Sequence, residues 1–324
     1  LHTREGIFTN GVYGFLTMFN RIIAQEEPTH IIVAFDTSRT TFRNTIYADY
    51  KANRSAPPDE LKGQFQLLRE VLTALNLDYI EKDGFEADDI IGTISSKAEN
   101  EGIETLIVTG DNDVLQLVSD KVKVMLTKRG ITETELFTPD KVKEKWEVDP
   151  PKMVEIKALM GDQSDNIPGI PGVGPKTAVK LVKQYGSLEN LYDNCNEVKG
   201  KKLLERLIEN KEKAFMSRKL AEIKRDIDLD IALADFTVKE PDYESVMRIY
   251  QHLEFNHFIN VLKAKESEKR PLAKGNEKVG TAEGNEKGAT AEDAVNEINV
   301  IPLDSKEAIQ NFINEIKPSA NIAI

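Results

Sequence analysis

Cysteine is almost missing from this sequence: Cys195 is the single one among 324 residues. One thiol excludes an internal disulfide and a thiolate metal cage, and it suits a reducing, cytosolic compartment. Long hydrophobic runs are missing too. No stretch approaches the roughly 18 consecutive apolar residues that a membrane span needs, and no secretory signal is expected ahead of the fold. There is no initiating methionine, and the last residues, 321–324, fall in an apolar run. More chain is therefore expected at both ends, including a first strand ahead of the polar loop 1–10 and the helix that follows over 11–25. Positive charge is in deficit, with a net charge of −12. That balance opposes a nucleic-acid partner only on average, because between Lys176 and Arg206 seven basic residues face four acidic ones. With 40% apolar residues, the chain can bury one large core plus smaller pieces.

What is abundant is carboxylate, and eight acids stand out in four groups: Asp36; Glu86, Asp88 and Asp89; Asp111 and Asp113; Asp162 and Asp165. Asp36 closes the apolar run 29–35, and Asp111 follows the run 105–109; both runs read as strands covered on two faces. Weaker strands are expected at 77–81 and 122–126. The intervening stripe Leu61, Phe65, Leu68, Leu72 and Leu75 is helical. Strands alternating with helices predict an α/β domain with a mostly parallel central sheet, whose ligands sit beyond the carboxyl ends of the strands.

Acids gathered at one sheet edge repel one another unless a cation neutralises them, and hard oxygen ligands suit Mg²⁺ or Mn²⁺. Each group also has a plainer explanation. Glu86, Asp88 and Asp89 precede the apolar set Ile90, Ile91 and Ile94, where capping and dipole compensation would use one or two acids. Asp111 and Asp113 could make a polar turn, and Asp162 and Asp165 an Asx turn after a helix that ends at Gly161. Acids at a helix C-terminus oppose its dipole, which favours a cation there.

After Pro150 and Pro151 the sequence turns mostly helical to about 263. Gly169, Gly172 and Gly174, followed by Lys176, Thr177 and Lys180, come close to a nucleotide-binding P-loop, but Pro175 intrudes and no strand precedes. A helix-hairpin-helix fits better, with backbone N–H groups and a helix N-terminus binding a DNA phosphate. Arg43, Tyr47, Tyr50, Lys51 and Arg54 recur at near-helical spacing, a pattern that suits a single strand through stacking and phosphate pairing. A solvated helix face explains the same spacing. Residues 264–297 hold no aromatic side chain, and the nonapeptide at 275–283 recurs at 284–292, which predicts a disordered linker. A β-α-β pattern resumes over 298–324.

Taken in order, these stretches resemble the 5′-nuclease (flap endonuclease) domain at the N-terminus of bacterial DNA polymerase I. The resemblance spans about 1–263 and is most specific over 161–178. It implies a PIN-like nuclease domain over 1–149, lacking its first strand, with a helical arch at about 40–58. A helix-hairpin-helix subdomain would occupy 150–263, and 298–324 would begin a 3′-5′ exonuclease-like domain. It implies two Mg²⁺ (or Mn²⁺): Asp36, Glu86 and Asp88 at one with Asp89 beside them, and Asp111, Asp113, Asp162 and Asp165 at the other. Family members carry one more aspartate at the end of the first strand. Lys51 and Arg54 would stand near the scissile phosphate, and K⁺ would lie on the hairpin carbonyls. The implied partners are DNA with 5′ flaps, nicks or RNA primers and covalently linked polymerase domains, in a monomer of the bacterial cytoplasm, associated with the nucleoid. Two alternatives remain: a DNA-structure-binding chain impaired in catalysis, and a stand-alone 5′-3′ exonuclease.

Overall fold

The computed structural model describes residues 1–37, 40–128 and 133–269, with side chains to 264. The nonapeptide duplication and the β-α-β pattern at 298–324 lie outside the described residues.

The first helix, α1 (Asn10–Glu26), buries Val12, Phe15, Leu16, Phe19 and Ile22 at helical spacing and ends where Glu27 turns left-handed. Strand β1 (Val33–Phe35) is buried throughout. Helix α2 (Phe42–Ile46) is capped by Thr41, and α3 (Asp59–Ala74) buries Leu68, Val71 and Leu72. Then come β2 (Tyr79–Glu81), α4 (Ala87–Asn100), β3 (Thr105–Thr109), β4 (Val122–Thr127), β5 (Thr134–Phe137) and α5 (Pro139–Trp146). β1 pairs parallel with β2; β3 pairs parallel with β4, to which β5 adds antiparallel.

The expected single sheet is thus two sheets among the described residues. The predicted strand at 29–35 also forms only its last three residues. Its first half pairs elsewhere: the Ile31 amide donates to the Phe236 carbonyl at 3.0 Å, and the Val238 amide donates to the Thr29 carbonyl at 2.9 Å. α4 packs against both β1 and β3 and so joins the two sheets.

The remaining helices are α6 (Met153–Met160), α7 (Pro175–Tyr185), α8 (Leu188–Asp193), α9 (Lys201–Glu209), α10 (Lys211–Ala221), α11 (Tyr243–His252) and α12 (Asn256–Lys269). One core joins β3 and β4 to α6–α8, through Ile107, Val124, Ile156, Leu159, Leu181 and Leu188. The segment beyond residue 222 behaves differently from the expected subdomain. Ile227, Leu229 and Leu233 pack on Ala34 and Ile90, while Tyr250, Leu253, Phe255 and Phe258 pack on Phe15, Leu68 and Leu72. The helical unit expected over 150–263 is therefore divided, and its last third closes the core of the first domain. α12 also runs through 264–269, the first residues of the predicted linker.

Two glycines allow the close approaches that shape the site. At Gly161 (φ +74°) a Cβ would lie 2.5 Å from the Ile167 carbonyl oxygen. At Gly92, on the buried face of α4, it would lie 2.4 Å from the Lys224 carbonyl oxygen.

Candidate metal and nucleic-acid site

The carboxylates come together because four chain reversals meet at the ends of β1 and β3. Asp36 follows β1 and accepts the Ala87 amide at 2.7 Å, which ties it to the start of α4. Asp111 follows β3 and accepts the Asp113 amide at 2.8 Å, opening a short 3₁₀ turn over Asn112–Leu117. Asp162 and Ile167 bond each other's backbone in a small loop that carries Asp165. The turns after α2 dock on that loop: the Lys51 amide donates to the Asp165 carbonyl at 2.9 Å, and the Asn53 side chain donates to the Gln163 carbonyl at 2.6 Å.

Side-chain cations lie between the acids. Lys51 Nζ is 2.8 Å from Glu86 and 3.8 Å from Asp165, and Arg54 also pairs with Asp165. Lys157 of α6 pairs with both Asp113 and Asp162. The buried Tyr50 hydroxyl lies 3.2 Å from Glu86 and 3.3 Å from Asp165. Burial and the neighbouring Glu86 push its phenol pKa up, so it remains a neutral donor. Burial, then Asp111, pushes Asp88 well above the usual carboxylate range. Burial likewise lifts Asp113 to about 7, although Lys157 opposes it. Burial would raise Asp162 too, but Lys157 and Ser164 outweigh it and hold that group at about 2.

Three of the expected site residues turn out to be structural. Asp89 is fully buried, and both its oxygens are taken: Arg43 binds them in a fork at 2.7 and 2.8 Å, while the amides of Glu86 and Lys224 donate to them at 3.1 and 2.9 Å. It caps α4 and holds Arg43, and it is not turned to the other acids. Arg43, expected on a strand-binding face, is 2% exposed and also donates to the carbonyls of Leu220 and Glu222. Gly169 is packed inside, where a Cβ would lie 2.2 Å from the Gly161 nitrogen, and its amide donates to Ser217.

The aromatic residues that follow α2 turn inward as well. Tyr47 and Tyr50 pack with Ile167 and Leu220, because α2 stops at Ile46 and the chain continues as turns with Lys51 left-handed (φ +55°). Of that expected face, the cations Lys51 and Arg54 are turned to the acids, with 16% and 23% of their side chains exposed. In the hairpin, Gly172, Gly174, Lys176 and Lys180 are exposed and Thr177 is half-buried at the start of α7. The Gly172 carbonyl faces Arg206 Nη1 at 3.5 Å. Lys157 was missed in the sequence, where it is one lysine between the buried Ile156 and Leu159; a lone cation on an apolar helix just before Gly161-Asp162 was the available signal.

Comparison with known proteins places this arrangement. The model of the 5′-3′ exonuclease N-terminal resolvase-like domain matches residues 1–147, and that of the 5′-3′ exonuclease C-terminal SAM fold matches residues 148–244. The chain belongs to the 5′-3′ exonuclease family. It is 47% identical over 275 residues to DNA polymerase I of Bacillus caldotenax, covering 85% of this chain and 31% of that protein. To DNA polymerase I of Mycobacterium bovis it is 46% identical over 253 residues, covering 78% and 28%. The chain thus spans under a third of these relatives. Among solved structures, a T5 5′-exonuclease described with bound zinc superposes with a TM-score of 0.57 at 20% identity, covering 78% of this chain and 90% of that one. The catalytic core of Rad2 in complex with DNA superposes with a TM-score of 0.55 at 15% identity, covering 81% and 86%. At these identities the likeness is one of fold.

A divalent ion suits this donor set in chemistry. Asp36, Glu86, Asp88, Asp111, Asp113, Asp162 and Asp165 offer hard carboxylate oxygens, and the side-chain cations Lys51, Arg54 and Lys157 already lie among them. Among the described residues no three acids stand ready to hold one ion as they lie. Lys51 and Lys157 bridge pairs of them instead. Among the described residues no helix is long and apolar enough to cross a membrane.

Proposed function

We propose that this chain hydrolyses DNA phosphodiesters at 5′ ends and 5′ flaps, including RNA primers and nicked duplexes, with two Mg²⁺ (or Mn²⁺). The observation that carries the reading is the meeting of seven carboxylates at the ends of β1 and β3 of an α/β domain, with Lys51 and Arg54 turned to them. Asp36, Glu86 and Asp88 would hold one ion; Asp111, Asp113, Asp162 and Asp165 would hold the other. Bound there, such ions supply a water of lowered pKa and stabilise charge on the phosphate and leaving oxygen.

The chain's own residues do the rest. Lys51 and Arg54, already pointing at the acids, shift to the scissile phosphate and stabilise its developing charge. Tyr50 stays protonated and steadies Glu86 and Asp165. Gly172, Gly174, Lys176, Thr177 and Lys180 grip a duplex phosphate at the N-terminus of α7. K⁺ on the hairpin carbonyls belongs to the proposal, with Gly172 shared with Arg206. Attachment to polymerase domains, action as a monomer, and a place in the bacterial cytoplasm at the nucleoid complete it.

The test is cleavage of a 5′-flap substrate with Mg²⁺. Asp111→Asn combined with Asp162→Asn is expected to lower the rate by orders of magnitude without unfolding the chain; an unchanged rate refutes the two-ion reading. Flap binding in Ca²⁺ without cleavage in Mg²⁺ would instead favour a binding module, a reading motivated by the lysines that bridge the acids.

A further inference from the structure

α6 carries a single basic residue, Lys157, and otherwise buries Met153, Ile156, Ala158 and Leu159. Its ammonium is drawn into the site, where it pairs with Asp113 after β3 and with Asp162 after α6. The Asp162 partnership is complete. One oxygen accepts the Ser164 amide at 2.8 Å and the Ser164 hydroxyl at 2.6 Å, and the other takes Lys157 at 2.5 Å. Only 15% of the Lys157 side chain is exposed. Burying an ammonium is unfavourable unless acids surround it, so this lysine stays in place because the acids hold it there.

We infer that Lys157 is a built-in competitor of the second metal ion: its ammonium sits between Asp113 and Asp162, and a divalent cation enters only by displacing it. The inference rests on the metal reading above and adds what that reading leaves open, which is how tightly the second ion binds. In the empty site the lysine offsets the repulsion between two half-buried acids. In the filled site it must withdraw, and the cost of withdrawal is subtracted from metal affinity. The two sites should therefore differ, with the second weakened. Lys51 has a smaller part in the first site, because it pairs there with Glu86 alone and its other partner is Asp165.

The experiment is calorimetric titration of the full chain with Mn²⁺, in parallel with thermal melts in EDTA and in Mn²⁺. Lys157→Met is expected to tighten one class of site by about tenfold or more, the effect of removing one partly screened charge contact, and to leave the other class unchanged. Its melting temperature should fall in EDTA and rise more than wild type's on adding Mn²⁺. If the methionine variant does not fold without metal, Lys157→Gln must show the same tightening. Equal Mn²⁺ affinity at both sites in wild type and variants overturns the competitor role while sparing the metal reading. Weaker binding in the variants also overturns it, by making Lys157 a support of the site. Wild type that binds no Mn²⁺ overturns the metal reading itself, and the inference with it.

Discussion

Arg43 and Asp89 form the most exposed weak point of this architecture, although both are buried. The guanidinium makes four hydrogen bonds: two to Asp89 at 2.7 and 2.8 Å, and one each at 2.8 Å to the carbonyls of Leu220 and Glu222. It joins α2, the first turn of α4 and the end of α10 at one point. Arg43→Met removes all four and leaves a carboxylate that is 0% exposed without its counter-charge. Breaking a buried pair from one side costs about 3–5 kcal/mol, a large share of the roughly 5–15 kcal/mol that a domain has. That corresponds to a fall of about 6–20 °C in melting temperature. Arg43→Lys should also be costly, because an ammonium cannot reproduce the fork. Asp89→Leu in the same chain removes the stranded charge, so the double variant should be more stable than the sum of the singles by about 2 kcal/mol or more. Urea unfolding followed by circular dichroism measures all of these from the midpoint and slope. A methionine variant that loses less than about 1 kcal/mol, additively with Asp89→Leu, would refute the argument.

Three further outcomes are expected. Gly169→Ala forces a Cβ against the Gly161 backbone at a left-handed φ of +56°; it should destabilise by about 1–3 kcal/mol or more, read as a lower urea midpoint. Leu253→Ala, at a position 1% exposed against α1 and α3, should cost about 2–5 kcal/mol by the same assay, even though it lies beyond the matched exonuclease domains. Glu189 is held at about 2, first by its hydrogen bond from Arg218, below an unfolded value of about 4.3. Its pair therefore stabilises fully above that value and loses the effect as pH falls toward 2. Because Glu189 is half-exposed, Glu189→Gln should cost at most about 1 kcal/mol at pH 6, and the gap to wild type should shrink below about pH 4; a gap that is constant with pH would exclude this pairing.

Much of the fold was legible where burial dictates pattern. β3 forms over the β-branched run at 105–109, and α1 spans its apolar stripe with one added residue at each end. The gathering of acids was legible because strand ends and helix starts are where acids of this kind congregate. What could not be read was direction. Arg43 and Tyr50 look in sequence like any exposed cation and ring, and only the placement of 220–222 and Asp89 shows that they face inward. Asp89 itself satisfied both explanations, cap and ligand, until Arg43 decided for the cap. The return of α11 and α12 to α1 was illegible for a simpler reason: the faces match over a separation that no local periodicity records.

That return has a consequence for how the protein is made. The Tyr13 ring meets Phe255 at 5.3 Å and Phe258 at 5.0 Å, so the first helix finds its partners about 245 residues later. At roughly 5–20 residues per second, a ribosome needs about 12–50 s to cover that distance. Throughout that interval the part of the α1 stripe that meets Phe255 and Phe258 lacks this cover, while α3 and the strands cover the rest. A nascent chain stalled before Phe255 would present this open seam to its neighbours, and crowded polysomes should aggregate through it sooner than the finished protein does.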